Sequence, residues 1–433
     1  MADLRRDAEA IWSAALRAIA PERLVAGCAP ALCDAVAAAE RVVVVGGGKA
    51  AAGMAAGIEA VLGPALLERH DVRGLVSVPE GCGRALGRIE VRETRPAGAN
   101  LPTPAVVEAT REMLSLVGPL GPRDLVLAVI TGGGSALVAA PRDGVTLAEK
   151  IACTRALSEA GADIATLNAA RRELSLVKGG GLARACGAGR LVALVLSDVI
   201  GSDLAVIASG PCHAPTAVAG AWTTLRGCRV EHIVVGDNTT AVEAAAAAAW
   251  SLGYEVAIDT ATDGEPAEAV GRRLALRGLE RLAEAARDGL KRAVIAGGEA
   301  IVRVPADHGR GGRNQHAALA ALADVRARSG AWPQGLLVAS IGTDGEDGPT
   351  DAAGGLIDEA VAVSIDDASL TTALTRCDAY PLLTKAGGLI RTGATGTNVA
   401  DLRIVLAARD GSASCRPSLG RPPSAGADPA LQA

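Results

Sequence analysis

The side chains best equipped for chemistry stand in or beside glycine-rich stretches. Lys49 follows Gly46-Gly47-Gly48. Ser135 closes Thr131-Gly132-Gly133-Gly134-Ser135, and Lys178 precedes three glycines. Arg310 and Arg313 sit in Gly309-Arg310-Gly311-Gly312-Arg313-Asn314-Gln315. Backbone amides of a glycine turn leading into a helix attract anions, phosphate above all, and a neighbouring cation strengthens the attraction. Arginine grips carboxylate or phosphate through two parallel hydrogen bonds. Asp198, Glu299, Asp344, Asp347 and Asp351 fall at strand ends or in a glycine-rich loop. Carboxylates so placed suit Mg²⁺ or proton acceptance, and equally the capping of turns.

The first glycine stretch is open to three readings. Gly46-x-Gly48-x-x-Ala51 fits the permissive dinucleotide fingerprint. A phosphate cradle uses the same glycines, and so does a plain strand-to-helix turn. It is not a Walker A loop, which has four residues between its glycines and a Ser or Thr after the lysine. The five histidines show no metal-ligand spacing and read as surface or turn residues, and there is no GxSxG elbow.

The elements that must position these residues are legible from apolar runs. Residues 4–40 read as helices leading into a buried valine strand at 42–45, followed by a helix over 48–62. Strands follow at 72–78, 124–130, 191–196, 229–235 and 255–258, with helices at 105–117 and 147–158 among them. Such alternation predicts a parallel sheet with helices on both faces and ligand-binding loops gathered at the carboxyl ends of the strands. Residues 265–290 read as a long helix joining two bodies. Beyond it, strands are expected at 293–296, 335–341 and 402–406, with 300–304 completing a hairpin across Gly297-Gly298. From residue 409 the Ser-, Gly-, Pro- and Ala-rich chain reads as a loose tail.

Composition narrows the function class. The chain has 433 residues, enough for two domains, and is 49% hydrophobic and 21% charged. Aromatics make up 1% and Phe is absent, so Ala, Val, Leu and Ile must fill the core, and base stacking is a poor binding mode. A net charge of −5 offers no electrostatic footprint for nucleic acid or an anionic membrane. Nine scattered cysteines without a CxxC pair suit reduced thiols. No secretory signal is read at the N-terminus, and a cytoplasmic location is expected. A homodimer is one open assembly.

In order and spacing the motifs resemble the glycerate 2-kinase family, the class II glycerate kinases whose C-terminal region is the MOFRL domain. The resemblance spans about residues 7–408. Its carriers include the two glycine stretches, Leu174–Gly180, Leu196–Asp203, Ala208-Ser209-Gly210-Pro211, Gly297-Gly298-Glu299, the 309–315 motif, Thr343–Gly354 and Gly396–Asp401. It implies an α/β chain: a Rossmann-like α/β/α domain with a parallel sheet over 1–265, a smaller MOFRL-type α/β domain over 290–408, and a site in the cleft. It also implies phosphorylation of D-glycerate by ATP with Mg²⁺, most often at the 2-hydroxyl. Lys49 matches the family's proposed catalytic lysine; Arg310, Arg313 and Asp198 complete the catalytic candidates. Gly47, Gly48, Gly132, Gly133, Gly134, Ser135, Lys178, Ser209 and Asn314 are expected to bind substrate or nucleotide. Asp198, Glu299 and Asp344 are the candidate metal ligands. The family usually has Ser at Thr131 and Thr at Cys212 and Ala300. An NAD(P)H-dependent hydroxypyruvate reductase is the rival reading, and a non-enzymatic binding regulator a second.

Overall fold

The computed structural model describes residues 3–98, 101–160, 164–214 and 221–409. The expected tail beyond Arg409 lies outside the described residues. The chain forms two compact units. One comprises Ala20–Asp237 with Gly396–Asn398; the other comprises Asn238–Thr395, the N-terminal helix Leu4–Ala18 and the chain from Val399 onward.

The first unit is built on a seven-stranded sheet. Its strands are β1 (Val42–Gly47), β2 (Arg73–Pro79), β3 (Ile89–Arg95), β4 (Leu125–Thr131), β5 (Arg190–Leu196), β6 (Trp222–Thr223) and β7 (Arg229–Gly236), in the order β3-β2-β1-β4-β5-β7-β6. All pairings are parallel except β6 on β7. The valines of β1 are fully buried, as a strand covered on both faces requires. The chain winds outward from β1 through β2 to β3, then returns to the other side of β1 as β4 and winds the opposite way. The sheet therefore has a switch point between β1 and β4, where open parallel sheets hold ligands. Helix Ala51–Arg69 starts just after β1 and is interrupted at Gly63, before Pro64.

The second unit is less parallel than the sequence suggests. It holds β8 (Glu255–Pro266), β9 (Arg292–Ile301), β10 (Leu336–Gly342), β11 (Gly354–Ile357), β12 (Leu389–Ile390) and β13 (Asp401–Ala407), in the order β12-β11-β10-β13-β9-β8. Only β8 and β9 pair in parallel; the other four pairings are antiparallel.

Four expectations are corrected here. The strand near 255–258 belongs to the second sheet, not the first, and the boundary between units falls at Asp237 rather than near 265. Helix Ala267–Asp288 does not join two bodies. It is the crossover between β8 and β9, and it buries Ala267, Val270, Gly271, Leu274, Ala275, Gly278, Leu282 and Ala285, one face at helical spacing. Its Arg- and Glu-rich outer face conceals that role in the sequence. Finally, Gly297 and Gly298 lie inside the single strand β9, so there is no hairpin across them.

With no Phe to fill gaps, the elements approach closely. Helix Ala267–Asp288 crosses helix Arg313–Ser329 so tightly that a methyl at Gly271 would lie 2.5 Å from the Ala317 carbonyl oxygen. Eight of the nine cysteines are described, and none forms a disulfide. Two histidines expected at the surface are buried: His70, whose Nδ1 lies 2.8 Å from the Ala39 carbonyl, and His316, whose Nε2 lies 2.9 Å from Glu268.

Candidate active site

The switch point brings both N-terminal glycine stretches together. At Gly48 the backbone has φ +141°, and a methyl there would lie 2.0 Å from Thr131 Oγ1, so only glycine fits. The reason for this approach is hydrogen bonding. Gly48 N–H donates to the Ser77 carbonyl (3.1 Å), Lys49 N–H to the Gly132 carbonyl (2.8 Å) and Ala50 N–H to Thr131 Oγ1 (3.2 Å). The hydroxyl retained at Thr131 thus ties the two loops together.

These bonds correct the reading of the first loop. The amides expected to cradle phosphate are spent inside the fold, and Gly47 and Gly48 act as points of close approach. The Lys49 side chain runs along the second loop; a methyl at Gly133 would lie 3.6 Å from its Cγ.

The second loop is the open one. The amides of Gly132, Gly133, Gly134 and Ser135 have no acceptor among the described residues. Gly133 adopts φ +78°, which turns the chain into the short helix Gly134–Leu137. The Asp198 carboxylate at the end of β5 lies over this loop, its Oδ2 2.5 Å from where a methyl on Gly132 would stand. Asn398 Nδ2 is 3.4 Å from the same Asp198 oxygen.

From the second loop a polar chain runs into the protein. Ser135 Oγ lies 2.9 Å from Ser209 Oγ, which in turn lies 2.9 Å from Asn168 Oδ1; Arg171 Nη1 approaches that oxygen at 3.4 Å. Ser209 sits in a backbone rarely populated by side-chain-bearing residues: φ is +51° at Ala208, +62° at Ser209 and +63° at Gly210. At the two non-glycine residues such conformations cost about 1–3 kcal/mol each and persist only where neighbours over-determine them. Here the neighbour is the Lys178 segment. Lys178 Nζ donates to the Ala208 carbonyl (3.1 Å), Gly179 N–H to that of Ser209 (3.0 Å) and Gly180 N–H to that of Gly210 (2.7 Å). Lys178 therefore fastens the turn that presents Ser209.

In the second unit the two candidate arginines separate. Arg313 forms hydrogen bonds to both oxygens of Asp401 (2.9–3.1 Å) and an ion pair with Glu299 (2.8 Å). Asp401 is fully buried and also accepts from Asn314 Nδ2 (3.0 Å) and Ala300 N–H (3.2 Å). Burial raises the Asp347 carboxyl to about 6, against the lowering effect of the Asn314 and Gln315 amides it accepts from, at 3.0 and 2.8 Å. Asn314, expected to touch ligand, is 1% exposed: its Nδ2 donates to Asp347 and Asp401, and its Oδ1 accepts from Ser340. Arg313 and Asn314 thus anchor the start of helix Arg313–Ser329.

Arg310 is exposed. Its guanidinium lies 4.3 Å from the Tyr380 ring centroid, its Nε donates to the Pro349 carbonyl (3.2 Å), and its Nη groups have no acceptor among the described residues.

Two of the candidate metal ligands, Glu299 and Asp344, are engaged within the second unit. Glu299 pairs with Arg313, and Asp344 Oδ1 accepts from Glu346 N–H (3.1 Å) in its own turn. No group of three or more His, Cys, Asp or Glu side chains able to hold a metal occurs among the described residues. Asp198, beside the open amides, fits the pattern of one carboxylate completed by substrate phosphates. Asn168 and Asp401 were missed as site residues, being single polar side chains without glycine neighbours; only Asp401 stood inside a quoted motif.

Comparison with known proteins fits this architecture. Residues 7–241 match a domain of unknown function, DUF4147, and residues 292–401 match the MOFRL family. The chain is 35% identical to a D-glycerate 2-kinase of Thermotoga maritima over 93% of its length and 98% of that protein. It is 36% identical to a glycerate kinase of Bos taurus, over 84% of this chain and 83% of that one. A protein of Agrobacterium vitis named a putative hydroxypyruvate reductase is also 36% identical, over 84% and 87%. The crystal structure of a Thermotoga maritima glycerate kinase superposes with a TM-score of 0.78 at 34% identity, over 94% of this chain and all of that one. A second solved structure, of a Pyrococcus horikoshii protein, gives 0.70 at 28% identity, over 94% and 99%. With both sequence halves and the fold matched, the chain belongs to the MOFRL glycerate kinase family.

Proposed function

We propose that the protein phosphorylates D-glycerate with ATP at the 2-hydroxyl, giving 2-phosphoglycerate and ADP. The observation that carries this reading is the open Gly132–Ser135 loop beside Lys49, in a chain 35% identical to a D-glycerate 2-kinase. In the reaction the hydroxyl oxygen bonds to the terminal phosphorus of ATP, the bond from phosphorus to the ADP oxygen breaks, and the hydroxyl proton leaves. Such chemistry is largely positioning and charge neutralisation.

The loop amides and Lys49 supply donors and positive charge for phosphoryl oxygens. To Asp198, whose carboxylate adjoins the loop, we assign acceptance of the proton or a share in holding Mg²⁺. That ion, arriving with the nucleotide, would neutralise phosphate charge. Arg310, with its free Nη donors, is the arginine we assign to the glycerate carboxylate. Lys49→Ala should lower kcat/KM by about 10²–10³, the usual cost of removing one preorganised charge stabiliser. Near-normal turnover would sink the role given to Lys49.

The reductase reading follows the name carried by the Agrobacterium relative. It would require the first loop to hold a cofactor pyrophosphate through open amides. Those amides donate to Ser77, Gly132 and Thr131 instead. Oxidation of NADH by hydroxypyruvate, followed by the loss of NADH absorbance, should be absent.

A further inference from the structure

A small cavity lies within the first unit, lined by Ser135, Lys150, Arg171 and Lys178 on its polar side and by Pro102 and Ile151 on its apolar side. Its volume is about 40 Å³, against roughly 10–15 Å³ for one water on the same kind of measure, so it admits a group the size of a tetrahedral oxyanion. Its described lining contains three cationic side chains and no carboxylate.

Both lysines are buried and Arg171 is half-buried. Lys150 is 4% exposed and Lys178 2%. Among the described residues each ammonium has three donors but one acceptor: the Arg171 carbonyl for Lys150 (3.2 Å) and the Ala208 carbonyl for Lys178 (3.1 Å). Burial, and to a smaller degree the Arg171 charge, pushes Lys150 down to about 8; burial, then Lys150 and Arg171, hold Lys178 well below the usual lysine range. Elsewhere the fold supplies countercharge to its partly buried arginines: Arg313 has Asp401 and Glu299, and Arg277 has Asp259. Three clustered cations with no carboxylate partner among the described residues are costly unless an external anion completes them.

We infer that Lys150, Arg171 and Lys178, with the Ser135 hydroxyl, form a binding site for a phosphoryl group. A dianionic group answers the excess positive charge better than a carboxylate does, and the cavity is too small for a nucleoside. Ser135 belongs both to this cavity and to the open loop, so the bound group adjoins the proposed reaction site. The inference rests on the kinase reading only for the source of the group, nucleotide or phosphorylated product.

Calorimetric titration of the full chain with inorganic phosphate, ADP, 2-phosphoglycerate and D-glycerate, in wild type and Lys150→Met, tests it. At least one phosphoryl-bearing ligand should bind tenfold or more weakly to the variant, with D-glycerate affinity unchanged. A loss confined to ADP identifies the nucleotide as the source, and one confined to 2-phosphoglycerate the product. Without ligand, Lys150→Met should melt at or above the wild-type temperature, because an unpaired buried charge is gone; a merely structural lysine would melt lower. Arg171→Gln provides the same titration should Lys150→Met fail to fold. Equal affinity of every phosphoryl ligand for wild type and variant overturns the inference, as does a loss confined to D-glycerate. Because the readout is binding, a wild-type protein that fails to phosphorylate glycerate would refute the kinase reading without touching this one.

Discussion

Replacing Arg313 with methionine removes the countercharge of a carboxylate that has no access to water. Asp401 is fully buried, and Arg313 supplies three of its hydrogen bonds. Breaking a buried pair by deleting one partner costs about 3–5 kcal/mol. The lower end applies here, because the Arg313 side chain is one-third exposed and Asp401 keeps the Asn314 amide and the Ala300 N–H. For a unit of this size, about 3 kcal/mol lowers Tm by roughly 6–12 °C. Thermal unfolding of the full chain followed by circular dichroism measures the shift, with the two units' transitions fitted separately. The double variant Arg313→Met/Asp401→Asn should recover much of the loss, since it removes both charges. A single variant melting within about 1 °C of wild type would refute the structural role assigned to Arg313.

Arg310→Ala should behave in the opposite way. Its stacking on Tyr380 is worth about 0.5–1 kcal/mol at an exposed position, so Tm moves little, while KM for D-glycerate rises about ten- to a hundredfold with loss of a charged hydrogen bond. Unchanged KM would remove it from the site. Asp347 predicts a pH dependence. Its native carboxyl titrates near 6 against 3.8 ordinarily, so the folded state holds a proton that the unfolded chain releases between those values. Stability should therefore fall as pH rises through that window, and Asp347→Asn should flatten this part of the profile. Parallel profiles for wild type and variant would contradict the shift.

The core of the first unit was legible because β1 and β4 are continuous apolar runs ending in glycines, β5 is a third apolar run ending at Ser197-Asp198, and alternation with helices fixes a parallel sheet. That its loops gather at one edge also follows from the pattern. The winding order does not, and it is the β1–β4 switch point that sets the first glycine loop against the second. Which loop stays open for an anion depends on the partners of individual amides: Ser77, Gly132 and Thr131 capture those of the first. The second unit was harder. The charged face of helix Ala267–Asp288 looks like a linker, while its buried face carries mainly Ala, Gly and Leu, which are weak markers in so alanine-rich a chain. Arg310 and Arg313 are indistinguishable by neighbours in sequence; Asp401, 88 residues beyond Arg313, separates their roles.

The most direct test of the central claim is the product formed from ATP and D-glycerate by the purified chain, resolved by phosphorus NMR. We predict 2-phosphoglycerate and ADP in equal amounts, with formation lost in step in Lys49→Ala. Formation of 3-phosphoglycerate, or hydrolysis of ATP with glycerate left unmodified, would contradict it.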